Sequence, residues 1–338
     1  MAIKDSIFVD GTSAHVVSTT LRYWLDPSPG GYKAFYPGTV GVYRRKHDEQ
    51  PAQITDVRGR EKEFTLDKQG FAFVQHESKE NDFADDEGVK DRLYPEVSEL
   101  LKDVTGATHV RPFSHLIRSE RWEDAQAAWE GKKDDDLVRT KVPARFAHVD
   151  HSYAGAVQII NDNLADEAER ARLTANTRWA IINVWRPIHH PVTRDALTVC
   201  DARTVDESDL EGLTAQLPAP QNDKYGTVSL GRAFETWAVK ANPAHRWYYK
   251  SGMTPDEALL LKIFDSKKDG RARRVPHTSF QCEEDHGPPR HSVEIRCLVF
   301  WEDQSLEIAK GEGVAQVIVN VERERTGEIQ KMMTEMFM

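Results

Sequence analysis

The chain has 338 residues, 39% of them hydrophobic and 9% aromatic, enough for a packed interior in one large domain. Its formal net charge of −10 repels phosphate backbones and anionic membranes, which argues against nucleic acid or a membrane surface as partner. The three cysteines, Cys200, Cys282 and Cys297, lack CxxC spacing; this speaks against a disulfide framework or zinc ribbon and suits a reducing cytoplasm.

At the N-terminus no basic region precedes an apolar run, so no secretory leader is expected. No stretch approaches the ~18 apolar residues of a membrane helix. The short alternating runs Thr39–Tyr43 and Gly70–Val74 predict strands. Arg92–Thr105 carries Leu93, Val97, Leu100, Leu101 and Val104 at helical spacing. Ser119–Gly131, with Ser119 as N-cap, and Asn163–Asn176 predict two more helices. Strands are predicted at Ala144–His148, Arg178–Ile188, Leu197–Cys200, Arg246–Lys250, Ala258–Asp265 and Ser292–Trp301. Regular strand–helix alternation, GxGxxG and a P-loop are all missing. The pattern therefore predicts a mainly β chain with flanking helices (α+β), its strands in an antiparallel sandwich or barrel. A single domain over 1–338 is expected, with strands and helices of about 1–140 packed on a core of about 141–305. The end, about 324–338, reads as a Met-rich amphipathic helix, a packing element or the contact of a homodimer.

The first chemical signal is Phe146-Ala-His148-Val-Asp150-His151. Side chains two apart on an extended strand share a face, so His148 and Asp150 converge while Val149 and His151 point away. One imidazole and one carboxylate make two-thirds of the facial triad of non-haem Fe(II) oxygenases, although the tripeptide alone also suits a surface turn. The second signal is Val275-Pro-His277-Thr-Ser-Phe280, followed by Arg290-His-Ser292-Val-Glu294-Ile-Arg296. An Arg-x-Ser after a histidine suits 2-oxoglutarate: the guanidinium forks onto its distal carboxylate and the hydroxyl adds a hydrogen bond. Alternation puts Arg290, Ser292, Glu294 and Arg296 on a polar face and Val293, Ile295, Cys297 and Val299 on an apolar one. Arg290 is the expected clamp and Arg296 its alternative. A solvated edge strand would show the same pattern.

Four further segments, Ile181-Ile-Asn-Val-Trp-Arg-Pro187, Cys200-Asp-Ala-Arg203, Thr254-Pro-Asp-Glu-Ala258 with Phe264-Asp-Ser266, and Pro276-His-Thr-Ser-Phe280, come in an ordered run. Over about Phe146 to Glu302 the chain resembles the fungal and bacterial family of gibberellin A4 desaturase-like and cephem methoxylase (CmcJ)-like proteins. The resemblance implies a double-stranded β-helix (jelly roll), with His148, Asp150 and His277 as ligands of Fe(II). It also implies 2-oxoglutarate as cosubstrate and O2 as oxidant. The reaction would be hydroxylation, desaturation or ring formation on a small or medium metabolite of specialised biosynthesis. The interval from Asp150 to His277 is longer than usual for such enzymes, and Val205–Asn222 is expected to belong to an insertion.

His189 and His190, at a turn before Pro191, compete with His277 as the second imidazole. His291 and His151 point away from the expected ligand faces, though His151 could support Asp150 from behind. Asn183, Arg186 and Lys262 are candidate substrate contacts. Arg186 ends a strand where a pocket rim would lie, and Lys262 interrupts the apolar run Ala258–Phe264. With Arg296, these cations suggest a carboxylate-bearing substrate, an amino acid among the candidates; internal ion pairs would explain them equally. Two other function classes stay open: a divalent-metal hydrolase using His148, Asp150 and His189 or His190, and a non-catalytic barrel binding protein. Only the oxygenase reading accounts for Arg290 and Ser292.

Overall fold

The computed structural model describes residues 8–9 and 12–306, apart from 81, 139 and 218–232. In chain order the elements are β1 (Phe8–Val9), β2 (Thr12–Ser13), β3 (Val16–Tyr23), β4 (Ala34–Phe35), α1 (Val40–Arg44), β5 (Asp48–Asp56) and β6 (Phe71–Gln75). Then come α2 (Asp86–Gly88), α3 (Tyr94–Thr105), β7 (His109–Arg118), α4 (Trp122–Ala128), β8 (His148–Val149), α5 (Tyr153–Asn163) and α6 (Glu167–Thr174). The remainder is β9 (Thr177–Pro187), β10 (Leu197–Cys200), β11 (Leu210–Gln216), β12 (Ala233–Val239), β13 (Trp247–Tyr249), β14 (Glu257–Asp265), β15 (His277–Ser279) and β16 (Ser292–Ser305).

Two sheets face one another. The larger runs β3-β5-β13-β10-β15-β8-β12-β11-β4, and the smaller runs β6-β14-β9-β16-β7 with antiparallel pairing throughout. Val149, Val199, Ala215 and Phe234 of the larger sheet pack against Ile181, Trp185, Leu259, Leu298 and Phe300 of the smaller. This is a jelly-roll core with flanking helices, as the sequence predicts. β9 and β14 are buried on both faces because helices cover the outer side. There Ile182, Val184, Leu260, Ile295 and Val299 meet Val97, Leu100 and Leu101 of α3. That helix ends where Gly106 turns left-handed, with φ 68° and its N–H donated to the Lys102 carbonyl. The predicted alternation along β16 holds: Ser292, Glu294 and Arg296 pair across from the inward Pro187, Trp185 and Asn183 of β9.

Several expectations are corrected. Thr39–Tyr43 is no strand; it runs into helix α1, because Val40 is buried beside Trp129 and Val138 and a five-residue run is too short for periodicity to decide. Of Ala144–His148 only His148 enters a strand, continuing to Val149. Residues after Ser119 become helical only at Trp122, with no side-chain cap. The helix expected over Asn163–Asn176 starts at Glu167, where the Asp166 carboxylate accepts from the N–H groups of Ala168 and Glu169. Within Val205–Asn222, Leu210–Gln216 forms β11, integral to the larger sheet; 218–222 and the C-terminal helix lie outside the described residues.

Candidate metal centre

β8 is two residues long, yet both its edges are occupied. His148 pairs with Ala238 of β12 on one side and with His277 of β15 on the other. Directly opposed residues in a sheet carry their side chains on one face, so the pairing brings two imidazoles together, with ring centroids 4.5 Å apart. Asp150 follows as the chain leaves the strand for α5. That turn is tight: Ser152 Oγ accepts from the Gly155 N–H at 2.9 Å, and the Ser152 N–H donates to the Glu235 carbonyl at 3.0 Å. A Cβ on Gly155 would stand 2.0 Å from that carbonyl oxygen, so glycine is required there.

One ligand atom from each of His148, Asp150 and His277 lies within 4.8 Å of the others. His148 Nε2 is 3.4 Å and His277 Nε2 3.5 Å from Asp150 Oδ1. The other atom of each side chain is tied off. His148 Nδ1 donates to the Phe146 carbonyl (2.8 Å) and His277 Nδ1 to the Val275 carbonyl (3.1 Å), which turns each Nε2 toward Asp150. Asp150 Oδ2 accepts from Asn183 Nδ2 at 2.8 Å and from Arg296 Nε at 3.0 Å, which turns Oδ1 toward the imidazoles. Burial alone would raise the Asp150 pKa, but the Arg296 guanidinium and the two imidazoles outweigh it and hold the carboxyl well below its ordinary range. Burial, with His277 alongside, pulls His148 down. For His277 burial acts the same way, yet its bond to Asp150 wins and the pKa rises.

On the same inner face, up β16, four buried polar atoms have no partner: Ser114 Oγ, Asn183 Oδ1, Ser292 Oγ and Arg290 Nε. Arg290 is 4% exposed, donates Nη1 to the Asp195 carbonyl at 2.7 Å and lies 5.5 Å from the Trp185 ring centroid. Burial brings its pKa down to about 9. Buried donors without acceptors are costly, so a row of them marks room for a polar ligand. The donor set fits the group that the sequence implies: two neutral nitrogens and a carboxylate for a divalent iron, and a buried cation with a hydroxyl for a dicarboxylate.

Other candidates fall elsewhere. Arg296 pairs with Asp150 and with Glu294 Oε1 (2.8 Å). Asn183 supports Asp150 through Nδ2. Arg186 and Lys262 sit on the opposite face of the smaller sheet from the His148–Asp150–His277 cluster, aligned with Val293 and Ile182 of the helix-covered core. Arg186 Nη2 donates to the His76 carbonyl and Nη1 lies 3.5 Å from Glu96; Lys262 Nζ meets Asp67 at 2.7 Å and Asp265 at 2.9 Å. His189 pairs with His291 (Nδ1 to Nδ1 3.0 Å), and His190 lies tilted against the same ring, centroids 4.9 Å apart. His151 faces Phe234 with both ring nitrogens unpartnered, and burial takes its pKa to about 4. Sequence reasoning missed Arg45, which contacts Phe146 beside His148. Its Arg44-Arg45-Lys46 setting reads as a solvated charge run, and no local pattern singles it out.

The family model described as "Oxidoreductase/YMDC permease-like domain" matches residues 21–300. The chain belongs to this family. It is 44% identical to the hydroxylase/desaturase efuI of Hormonema carpetanum over 86% of this chain and 97% of that one. It is 34% identical to the alpha-ketoglutarate-dependent dioxygenase phiK of a fungal species, over 84% and 96%. The solved iron and alpha-ketoglutarate-dependent endoperoxidase NvfI superimposes with a TM-score of 0.65 at 26% identity, over 85% of this chain and 98% of that one. The family includes the gibberellin A4 desaturase group that the motifs resemble, and the chain is an Fe(II)/2-oxoglutarate-dependent oxygenase.

Proposed function

We propose that His148 and His277, through Nε2, and Asp150, through Oδ1, hold the Fe(II), and that Arg290 with Ser292 receives the distal carboxylate of 2-oxoglutarate. The observation that supports this most is that all three ligand atoms converge while the remaining nitrogens and Oδ2 are bonded to protein groups. Iron bound there couples oxidative decarboxylation of 2-oxoglutarate by O2 to hydrogen abstraction from an organic substrate. The protein's part is positional. Asn183 and Arg296 fix the Asp150 carboxylate, the Phe146 and Val275 carbonyls fix both histidine tautomers, and the apolar inner core keeps water away.

The substrate in this reading is a small or medium metabolite, hydroxylated, desaturated or cyclised. A carboxylate on it gains nothing from Arg186, Lys262 or Arg296, all of which are engaged with protein carboxylates. The acidic net charge supports a small-molecule partner over nucleic acid, and the three free cysteines support a cytoplasmic setting. Among the described residues no helix is long and apolar enough to cross a membrane. The chain is read as one oxygenase domain that pairs as a homodimer. Oxygen uptake and succinate release by the iron-loaded protein, against a panel of amino acids, terpenoids and peptides, test the reading. Equal turnover with zinc and without 2-oxoglutarate would sink it.

A further inference from the structure

Outside the metal centre, Arg45 is half-buried as a residue but its guanidinium is enclosed, and among the described residues no carboxylate pairs with it. Arg45 lies between α1 and β5, its Nε donated to the Val42 carbonyl at 3.0 Å. Its guanidinium is boxed by three rings, 4.3 Å from the Tyr32 centroid, 4.8 Å from Phe35 and 4.7 Å from Phe146. Nη1 and Nη2 are both buried and both without a hydrogen-bond partner. Burial lowers its pKa, and the groups that act against this are the Tyr32 and Tyr43 phenols, with no carboxylate among them. Ring faces attract a cation but accept its N–H groups only weakly, so the desolvation of two donors is only partly offset. The site lies next to the chemistry: the Phe146 ring that touches Arg45 is 4.7 Å, centroid to centroid, from the His148 ring. On the same Phe146 ring stacks His47, whose Nδ1 is also buried and unpartnered and which burial, with Arg45, holds neutral near 3.

We propose that the Nη1/Nη2 edge of Arg45 binds a carboxylate of the organic substrate and so sets substrate class in the reaction proposed above. The fixed Nε leaves free the two-nitrogen edge that grips a carboxylate with parallel hydrogen bonds. The Tyr32, Phe35 and Phe146 rings then exclude water from the pair, and the carboxylate supplies the acceptors the buried donors lack. The assignment differs from the cosubstrate clamp, because Arg290 lies at the β16 end of the smaller sheet and Arg45 beside the larger one.

The test is calorimetric titration of anaerobic protein loaded with Fe(II) and 2-oxoglutarate. The probes are matched carboxylic acids and their methyl esters on alkyl, aryl and polycyclic skeletons. In the wild type, the acids that bind should do so about tenfold or more tightly than their esters. Arg45→Gln should erase that preference while leaving the affinities for iron and 2-oxoglutarate in place, and Arg45→Lys should keep only part of it. If Arg45→Gln fails to fold, the Lys variant decides, since a point charge without the fork must weaken the preference. No acid preference in the wild type, or an undiminished one in the variants, overturns the anchor and leaves the oxygenase reading standing. Failure of the wild type to bind iron or 2-oxoglutarate overturns both.

Discussion

Replacing Arg290 by alanine is expected to weaken 2-oxoglutarate binding without displacing the metal. The size follows from the donors. Nη1 is already committed to the Asp195 carbonyl, so Nε and Nη2, together with Ser292 Oγ, remain for the cosubstrate. A hydrogen bond to a charged group is worth about 1.5–3 kcal/mol, so Arg290→Ala should raise the Kd about 10- to 150-fold. Arg290→Lys supplies charge but no fork and should recover only about tenfold of that loss. Ser292→Ala, a neutral donor, should cost about 1 kcal/mol, near fivefold. Titration calorimetry of 2-oxoglutarate into anaerobic Fe(II)-loaded protein reads each value directly, with metal content measured in parallel. If Arg290→Ala binds within about twofold of the wild type while a change at Arg296 abolishes binding with iron still in place, the clamp is misassigned.

His148→Ala, Asp150→Ala and His277→Ala should each lose tight iron binding in a folded protein, whereas His189→Ala and His190→Ala should keep it. Metal analysis after desalting checks this, and iron retained by His277→Ala would place the third ligand elsewhere. Asn183→Ala and Arg296→Met should lower iron affinity by about 10- to 100-fold, because each removes one of the bonds that orient Asp150. A chelator-competition titration that finds no change would show that Asp150 needs no such support. On the opposite face, Asp265→Asn leaves Asp67 as the remaining carboxylate partner of the buried Lys262 and Arg178 and should cost about 1.5–3 kcal/mol in urea unfolding. Lys262→Met should cost less, since Arg178 Nη2 stays 2.6 Å from Asp265. Neither should alter 2-oxoglutarate affinity, and a selective rise in substrate KM for Lys262→Met would identify it as a substrate contact.

The parts legible in the sequence were those set by strand alternation. It placed Ser292, Glu294 and Arg296 on one face and Val293 and Ile295 on the other, and it aligned His148 with Asp150. Alternation cannot say which polar residues will find each other. Arg296 and Asn183 reach Asp150 only because β9 and β16 lie in register on the sheet opposite β8, a long-range fact. The partners of Lys262 and Arg186 were hidden for a related reason: a cation in an apolar run signals enclosure, and Asp67 and Glu96 come from segments far away in the chain. Arg45 was invisible because its box draws on the Tyr32–Phe35 segment and on Phe146, two separate pieces of chain.

The two-residue strand that carries His148 has a consequence for biosynthesis. As the chain leaves the ribosome, His148 and Asp150 emerge together, but the neighbours that hold β8, at Ala238 and His277, are made much later. Contacts this distant in sequence are paid for in loop closure before they are rewarded, so the nascent polypeptide carries only a loose His-x-Asp pair. At the proposed site, iron capture therefore awaits the synthesis of β15. A slip of one residue between β8 and β15 would turn an imidazole to the wrong face and yield a folded but iron-blind molecule. Metal occupancy thus reports on strand register as well as on metal supply.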